Sequence, residues 1–287
     1  MGVIFSSYNG HLLTAALLER FFGIRSCFHL GLMGSVANTV SGRWAVRQIS
    51  AGVAPSEQTA KSWREIGWPK KTLQVVPNWI DWEDYSKLPT KKEARSILER
   101  DYGFKGLSGG GSIKVVGYVG RLVQEKGIEV LLEAWRGMEE KLPEAVLLIA
   151  GSGTHEYEKE LKKRAGARVR FLGAVADPKP VYAACDLVVT PSLWEEPFGL
   201  IPLEAVACGA LPLVSDRGFL PQMVQEVEKG LIHPAGNSED LARQMDRWLG
   251  HSADNLRTRL RNTLEERASS RSGIEAYKKI LQETGLP

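Results

Sequence analysis

Two glutamates, Glu196 and Glu204, stand eight positions apart in the stretch EEPFGLIPLE, with Pro197, Phe198 and Gly199 between them. Proline and glycine interrupt regular helix there, which places Glu196 on a loop and Glu204 on the helix that follows. From two such positions one carboxylate can accept hydrogen bonds from a sugar's hydroxyls and the other both hydroxyls of a ribose. The plain alternative is a helix-start glutamate favoured by the helix dipole and a mid-helix glutamate in solvent. Glu204 fits that alternative poorly, because Leu203, Ala205, Val206, Ala207 and Cys208 around it are all apolar. A carboxylate in such company is costly unless something binds it.

Two cations offer a second chemistry. GRLVQEKG (120–127) places Arg121 and Lys126 between a strand end and a helix start. Free N–H groups and the dipole at a helix N-terminus favour anions, and two added cations suit a diphosphate. Two solvated surface cations are an equally good reading of this stretch by itself. GSG (151–153) lets a ligand approach the backbone or makes a plain tight turn. It is not a dinucleotide fingerprint, since no GxGxxG opens this part of the chain.

The elements that must position these residues alternate between strand and helix. IKVVGYVG (113–120), AVLLIAGSG (145–153), RVRFLG (168–173), DLVVTPS (186–192) and ALPLVS (210–215) are predicted strands. Helical patterns fall at 154–165, 178–184 and 199–208, and two more close the chain near Leu281. Such alternation predicts parallel, doubly wound sheets whose ligands bind at the carboxyl ends of the strands. VIFSS (3–7), SCFHL (26–30), AGVAP (51–55) and LQVVP (73–77) repeat the rhythm more briefly at the front. The expected division is a shortened N-terminal unit over 1–88, a linker helix with a Gly/Ser loop over 89–112, a second unit over 113–265, and a C-terminal helix over 266–287.

Bulk properties narrow the classes. The 287 residues are 43% hydrophobic and 25% charged, and the net charge of +3 is too mild to imply nucleic acid. Cys27, Cys185 and Cys208 show no CxxC spacing and read as reduced, buried thiols of a cytoplasmic protein. No apolar run approaches the ~18 residues that span a bilayer, and no signal-peptide pattern opens the chain. Residues 1–71 hold eight Lys/Arg against three acids, and five of the eight tryptophans fall between residues 44 and 82. These features suggest either a face for the inner membrane surface or tryptophans packed between the domains.

Taken together, these residues resemble glycosyltransferase family 4, retaining enzymes of the GT-B fold. The resemblance rests on Pro191-Ser192, on Glu196-Pro197-Phe198-Gly199-Leu200 with Glu204-Ala205 and Cys208-Gly209, and on Gly120-Arg121 with Lys126-Gly127. Asn78 and Ser56 match further elements of the family, so the likeness runs from about residue 3 to 283. It implies an α/β chain of two Rossmann-like doubly wound units, the N-terminal one truncated, with a nucleotide-sugar donor in the cleft. Arg121 and Lys126 would neutralise the donor's diphosphate and Glu204 would hold the ribose. Glu196 with the amides of Phe198, Gly199 and Leu200 would hold the donor sugar, beside Gly120, and Arg170 and Phe171 would lie near the base. His29 falls near the family's N-domain histidine, or is a core or turn histidine. Metal and cofactor are expected to be none, given no Asp-x-Asp and no His/Cys cluster; the UDP- or GDP-linked donor is a substrate.

The chain departs from the family in its short N-terminal domain, about half the usual length before the asparagine. The strand at 3–5 is then expected as an open edge that a second copy or second subunit covers. The acceptor, a glycan or a lipid-linked molecule, is left open. The main rival reading is a non-catalytic nucleotide-sugar-binding subunit; an epimerase or phosphorylase on the same fold is a third.

Overall fold

The computed structural model describes residues 2–6, 9–103, 105–108, 113–139, 141–250 and 253–285. Most of the glycine/serine loop expected near 106–112 lies outside the described residues. The chain forms two compact units, residues 1–80 with 195–198 and 267–287, and residues 81–194 with 199–266.

The first unit contains β1 (Gly2–Ser6), α1 (Asn9–Phe22), β2 (Arg25–His29), α2 (Val40–Ala45), β3 (Ala51–Ala54), α3 (Glu57–Glu65) and β4 (Leu73–Val75). Its four strands are parallel, in the order β1-β2-β3-β4. Side chains alternate across the sheet as the two-residue period requires. Phe28 joins a core with Leu12, Ala15, Trp63 and Trp68, whereas Cys27 and Val53 join Val76 and Ile280. The terminal helix of the chain, at Ser270–Glu283, supplies Ile280 and so belongs to this unit. β1 has one neighbour and is an edge, as the sequence led us to expect. Beside it α1 exposes Leu13, Leu17, Phe21 and Phe22, the last two by 70% and 74%.

Most of the five tryptophans between residues 44 and 82 are drawn inward. Trp63, Trp68 and Trp82 are buried, Trp79 stacks edge-on against Tyr277 at 5.6 Å, and of the five Trp44 is the one counted as exposed. The rings of Trp63, Trp68 and Trp82 bury large apolar areas inside the protein. Among the described residues no helix is long and apolar enough to cross a membrane.

The second unit runs α4 (Lys91–Tyr102), β5 (Lys114–Val119), α5 (Ile128–Glu139), β6 (Ala145–Ala150), α6 (His155–Arg164), β7 (Val169–Gly173), α7 (Lys179–Ala184), β8 (Leu187–Thr190), α8 (Leu200–Ala207), β9 (Leu211–Ser215), α9 (Leu220–Val224), β10 (Ile232–His233), α10 (Ser238–Leu249) and α11 (Asp254–Arg267); the terminal helix is α12. Its six parallel strands lie in the order β10-β9-β8-β5-β6-β7. The order reverses between β5 and β8, the switch point of a doubly wound sheet.

The charged helix expected as a linker is instead a wall of this unit. Thr90 and Glu93 close a capping box at the start of α4. Arg95 and Lys91 reach the Asp186 carboxylate at 2.9 and 2.7 Å, and that carboxylate also accepts from the Val115 amide. Burial by itself raises the Asp186 carboxyl, but Lys91, Arg95 and the amide outweigh it and hold it below its ordinary value. Of this helix's charged residues Arg95 is buried, and its partner Asp186 lies inside the unit.

Candidate functional site

The switch point gathers the loops that the sequence had singled out. The loop after β5 carries Arg121 and Lys126, and the loop after β8 carries Pro191 and Ser192. They are tied together by the amides of Leu193 and Trp194, which both donate to the Glu125 carbonyl, at 2.8 and 3.2 Å. Gly127 ends the short 3-10 turn Gln124–Lys126 at φ +68°, and a Cβ there would overlap the Pro191 carbonyl oxygen. Glycine is required for this close approach of two backbones.

The same is true one strand over. Gly151 sits at φ +146°, and a Cβ on it would overlap the Gly120 carbonyl oxygen. The Gly120 amide donates to the Ala150 carbonyl at 2.9 Å and the Gly151 amide to the Gly173 carbonyl at 2.7 Å. The GSG turn therefore owes its first glycine to a neighbouring strand end. A cavity of about 240 Å³ opens over these ends, lined by Gly120 and Arg121 after β5, Gly151 and Ser152 after β6, and Ala174 and Val175 after β7.

Arg121 is mostly exposed and pairs with Glu125 at 3.1 Å, and Lys126 is half-buried. Both lie on the loop that bounds the switch point. Arg170 and Phe171 do not line the cavity. Arg170 turns back to the Ala167 carbonyl at 2.6 Å, and the Phe171 ring lies under Lys162 of α6 at 5.8 Å. They sit inside β7, so the loop residues Ala174 and Val175 occupy the rim instead.

α8 starts at Leu200, and Gly199, expected in its first turn, is its cap at φ +98°. Leu200 is partly exposed at 41%. Glu204 is half-buried one turn further in. Its Oε2 accepts a hydrogen bond of 2.7 Å from the Tyr182 hydroxyl of α7. Burial raises the Glu204 carboxyl, while Tyr182 and Lys179 oppose the rise. The carboxylate among apolar neighbours thus has an internal partner that the sequence reading missed. A tyrosine in the short apolar helix KPVYAA was the available signal, because a buried hydroxyl needs an acceptor.

Glu196 and Phe198 belong to the four residues 195–198 that join the first unit. Ser56, the N-cap of α3, donates to the Pro197 carbonyl at 2.7 Å, and Thr59 donates to the same oxygen at 3.1 Å. Gln58 reaches Glu195 at 3.1 Å, and the Phe198 ring is buried. His29 ends β2 with its Nδ1 hydrogen-bonded to the Tyr277 hydroxyl of α12. Burial lowers its ring below the ordinary histidine value. Among the described residues no three His, Cys, Asp or Glu side chains converge as a metal site.

A family model described as Glycosyl transferases group 1 matches residues 110–268. An uncharacterized glycosyltransferase of Methanocaldococcus jannaschii is 38% identical over 190 residues, 63% of this chain and 46% of that one. A lipopolysaccharide core biosynthesis glycosyltransferase of Rhizobium meliloti is 32% identical over 233 residues, 76% of this chain and 59% of that one. The chain thus spans about half the length of these curated relatives. Among solved structures, Anabaena HepE in complex with UDP and glucose has a TM-score of 0.85 at 22% identity, covering 98% of this chain and 78% of that one.

Proposed function

Because the chain belongs to the glycosyl transferases group 1 family, we propose that it transfers a sugar from a UDP- or GDP-linked donor to a glycan or lipid-linked acceptor, with retention of anomeric configuration and without a metal. The observation that carries this reading is the cavity over the carboxyl ends of β5, β6 and β7, beside a loop bearing Arg121 and Lys126. Doubly wound sheets bind ligands at that place. In the proposed reaction the bond between the sugar's anomeric carbon and the diphosphate oxygen breaks. The acceptor hydroxyl oxygen bonds to that carbon, and its proton goes to the departing phosphate. Arg121 and Lys126 stabilise the charge that develops on the diphosphate, which is electrostatic catalysis by fixed groups. Glu204 accepts the ribose hydroxyls. Glu196 with the amides of Phe198, Gly199 and Leu200 takes the donor sugar's hydroxyls, and His29 serves the same sugar.

Thermal unfolding of the chain and of Glu204→Ala, with UDP, GDP, ADP and their common sugars, tests the reading. A ligand at a hundred times its dissociation constant adds about 2.7 kcal/mol. Stabilisation by one nucleotide series, lost in Glu204→Ala, is expected. Equal behaviour of every nucleotide and both proteins would defeat the assignment.

A further inference from the structure

Tyr182 is 1% exposed, so the oxygen of Glu204 is the acceptor that satisfies its hydroxyl. The pair stands one helical turn behind the cavity on two helices at once. Pro178, which lines the cavity, precedes Tyr182 by one turn of α7. Ile201 precedes Glu204 by one turn of α8, and its Cδ1 stands 3.4 Å from where a Cβ on Gly120 would lie. Residues three and four apart share a helix face, so Tyr182 follows Pro178 and Glu204 follows Ile201 one turn behind the cavity, which neither of them lines. Lys179 of α7, Tyr85 of the 3-10 turn Trp82–Tyr85, Asp177 ahead of α7 and Cys208 of α8 are the other titratable groups around the pair. Lys179 Nζ lies 5.1 Å from the Tyr85 ring, and Arg261 of α11 acts on Cys208.

We propose that Tyr182 is the positioning residue for Glu204, fixing Oε2 so that Oε1 is presented to a ribose hydroxyl of a nucleoside diphosphate. This inference rests on the reading of Glu204 as the ribose-binding carboxylate. The chemistry is directional. A carboxylate that receives one hydrogen bond from the protein has fewer rotamers and a defined free oxygen, and its acceptor strength depends on staying ionised. Burial acts against ionisation here, and the Tyr182 hydroxyl and the Lys179 charge act for it. Without the hydroxyl, Glu204 takes up its proton at higher pH and becomes a poorer acceptor.

The test is calorimetric titration of the full chain with UDP and GDP and their 2′-deoxy forms, between about pH 5 and pH 8, a range spanning ordinary and raised carboxyl values. Wild type, Tyr182→Phe, Glu204→Gln and the double variant are compared. Tyr182→Phe is expected to weaken the preferred ribonucleotide about tenfold, the equivalent of one hydrogen bond to a charged group. It is also expected to erase the preference over the 2′-deoxy form and to raise the pH below which binding fades. In the Glu204→Gln background the same change should have no further effect, which a merely structural tyrosine would not show. If Tyr182→Phe does not fold, Glu204→Asp withdraws the carboxylate from the hydroxyl and should produce the same loss. Binding by wild type with an unchanged pH midpoint in Tyr182→Phe, or equal losses in both backgrounds, overturns the positioning role alone. No binding of any nucleotide by wild type overturns the proposed function and this inference with it.

Discussion

The strand ends of the two units are fixed by different means. In the second unit, the ends of β5 and β6 are held by backbone against backbone, with Gly127 and Gly151 admitting the Pro191 and Gly120 carbonyls where side chains would stand. In the first unit, backbone bonds from the Leu30 amide to the Val53 carbonyl and from the Val76 amide to the Ala54 carbonyl are joined by side-chain ties, His29 to Tyr277 and Ser56 to the Pro197 carbonyl. Backbone contact tolerates almost no added volume, because the interior is close-packed and carbonyls cannot rotate away. Side-chain contacts fail one hydrogen bond at a time. The glycine-locked strand ends of the second unit should therefore respond to substitution steeply, and the side-chain ties at the strand ends of the first gradually.

Three measurements can break or sharpen this contrast. The largest effect is expected for Gly151→Ala. A new methyl meets the Gly120 carbonyl at a φ of +146°, and the strain and overpacking together should cost about 3 kcal/mol or more by urea denaturation. No cost, or the gain of up to ~1 kcal/mol that glycine to alanine gives at a compatible site, would mean the strand ends are not backbone-locked. Ser56→Ala comes next. It removes the N-cap of α3 and one of two donors to Pro197, a loss of about 1 kcal/mol by the same method. A loss comparable to that of Gly151→Ala would erase the distinction between the units. Arg121→Ala should be smallest, within ~0.5 kcal/mol, because its pair with Glu125 is solvent-exposed. Its nucleoside diphosphate affinity should nonetheless fall in titration. A large stability loss would show that Arg121 is part of the scaffold.

Much of the fold was legible because its signal is local. Buried parallel strands read as continuous apolar runs, and nine of them were placed in this way, from VIFSS to ALPLVS. β10, two residues long and containing His233, carries too little pattern to be seen. The close of the chain held three helices where two patterns were visible, since α10 begins on an Asn237 cap that composition did not reveal. The loops bearing Arg121, Lys126 and Gly199, and the helix bearing Glu204, were found for the same local reason: each follows a strand that is visible in the chain. The strand bearing Arg170 and Phe171 was expected at 168–173 and found at Val169–Gly173, and both residues lie within it, so the cavity's rim falls to Ala174 and Val175 just beyond its end.

What the sequence determined by itself was the alternation of elements, hence parallel doubly wound sheets, and the loops at which acidic and cationic groups occur. Those follow from periodicity and from proline and glycine, which act over a few residues. What only the tertiary structure decided was the set of partners. It gave Glu204 to Tyr182, Asp186 to Lys91 and Arg95, and His29 to Tyr277. It also showed that Gly151 answers to Gly120 before any ligand. Each of these joins residues from 22 to 248 positions apart. Burial creates the need for a partner, and the topology of the sheet alone determines which one is within reach.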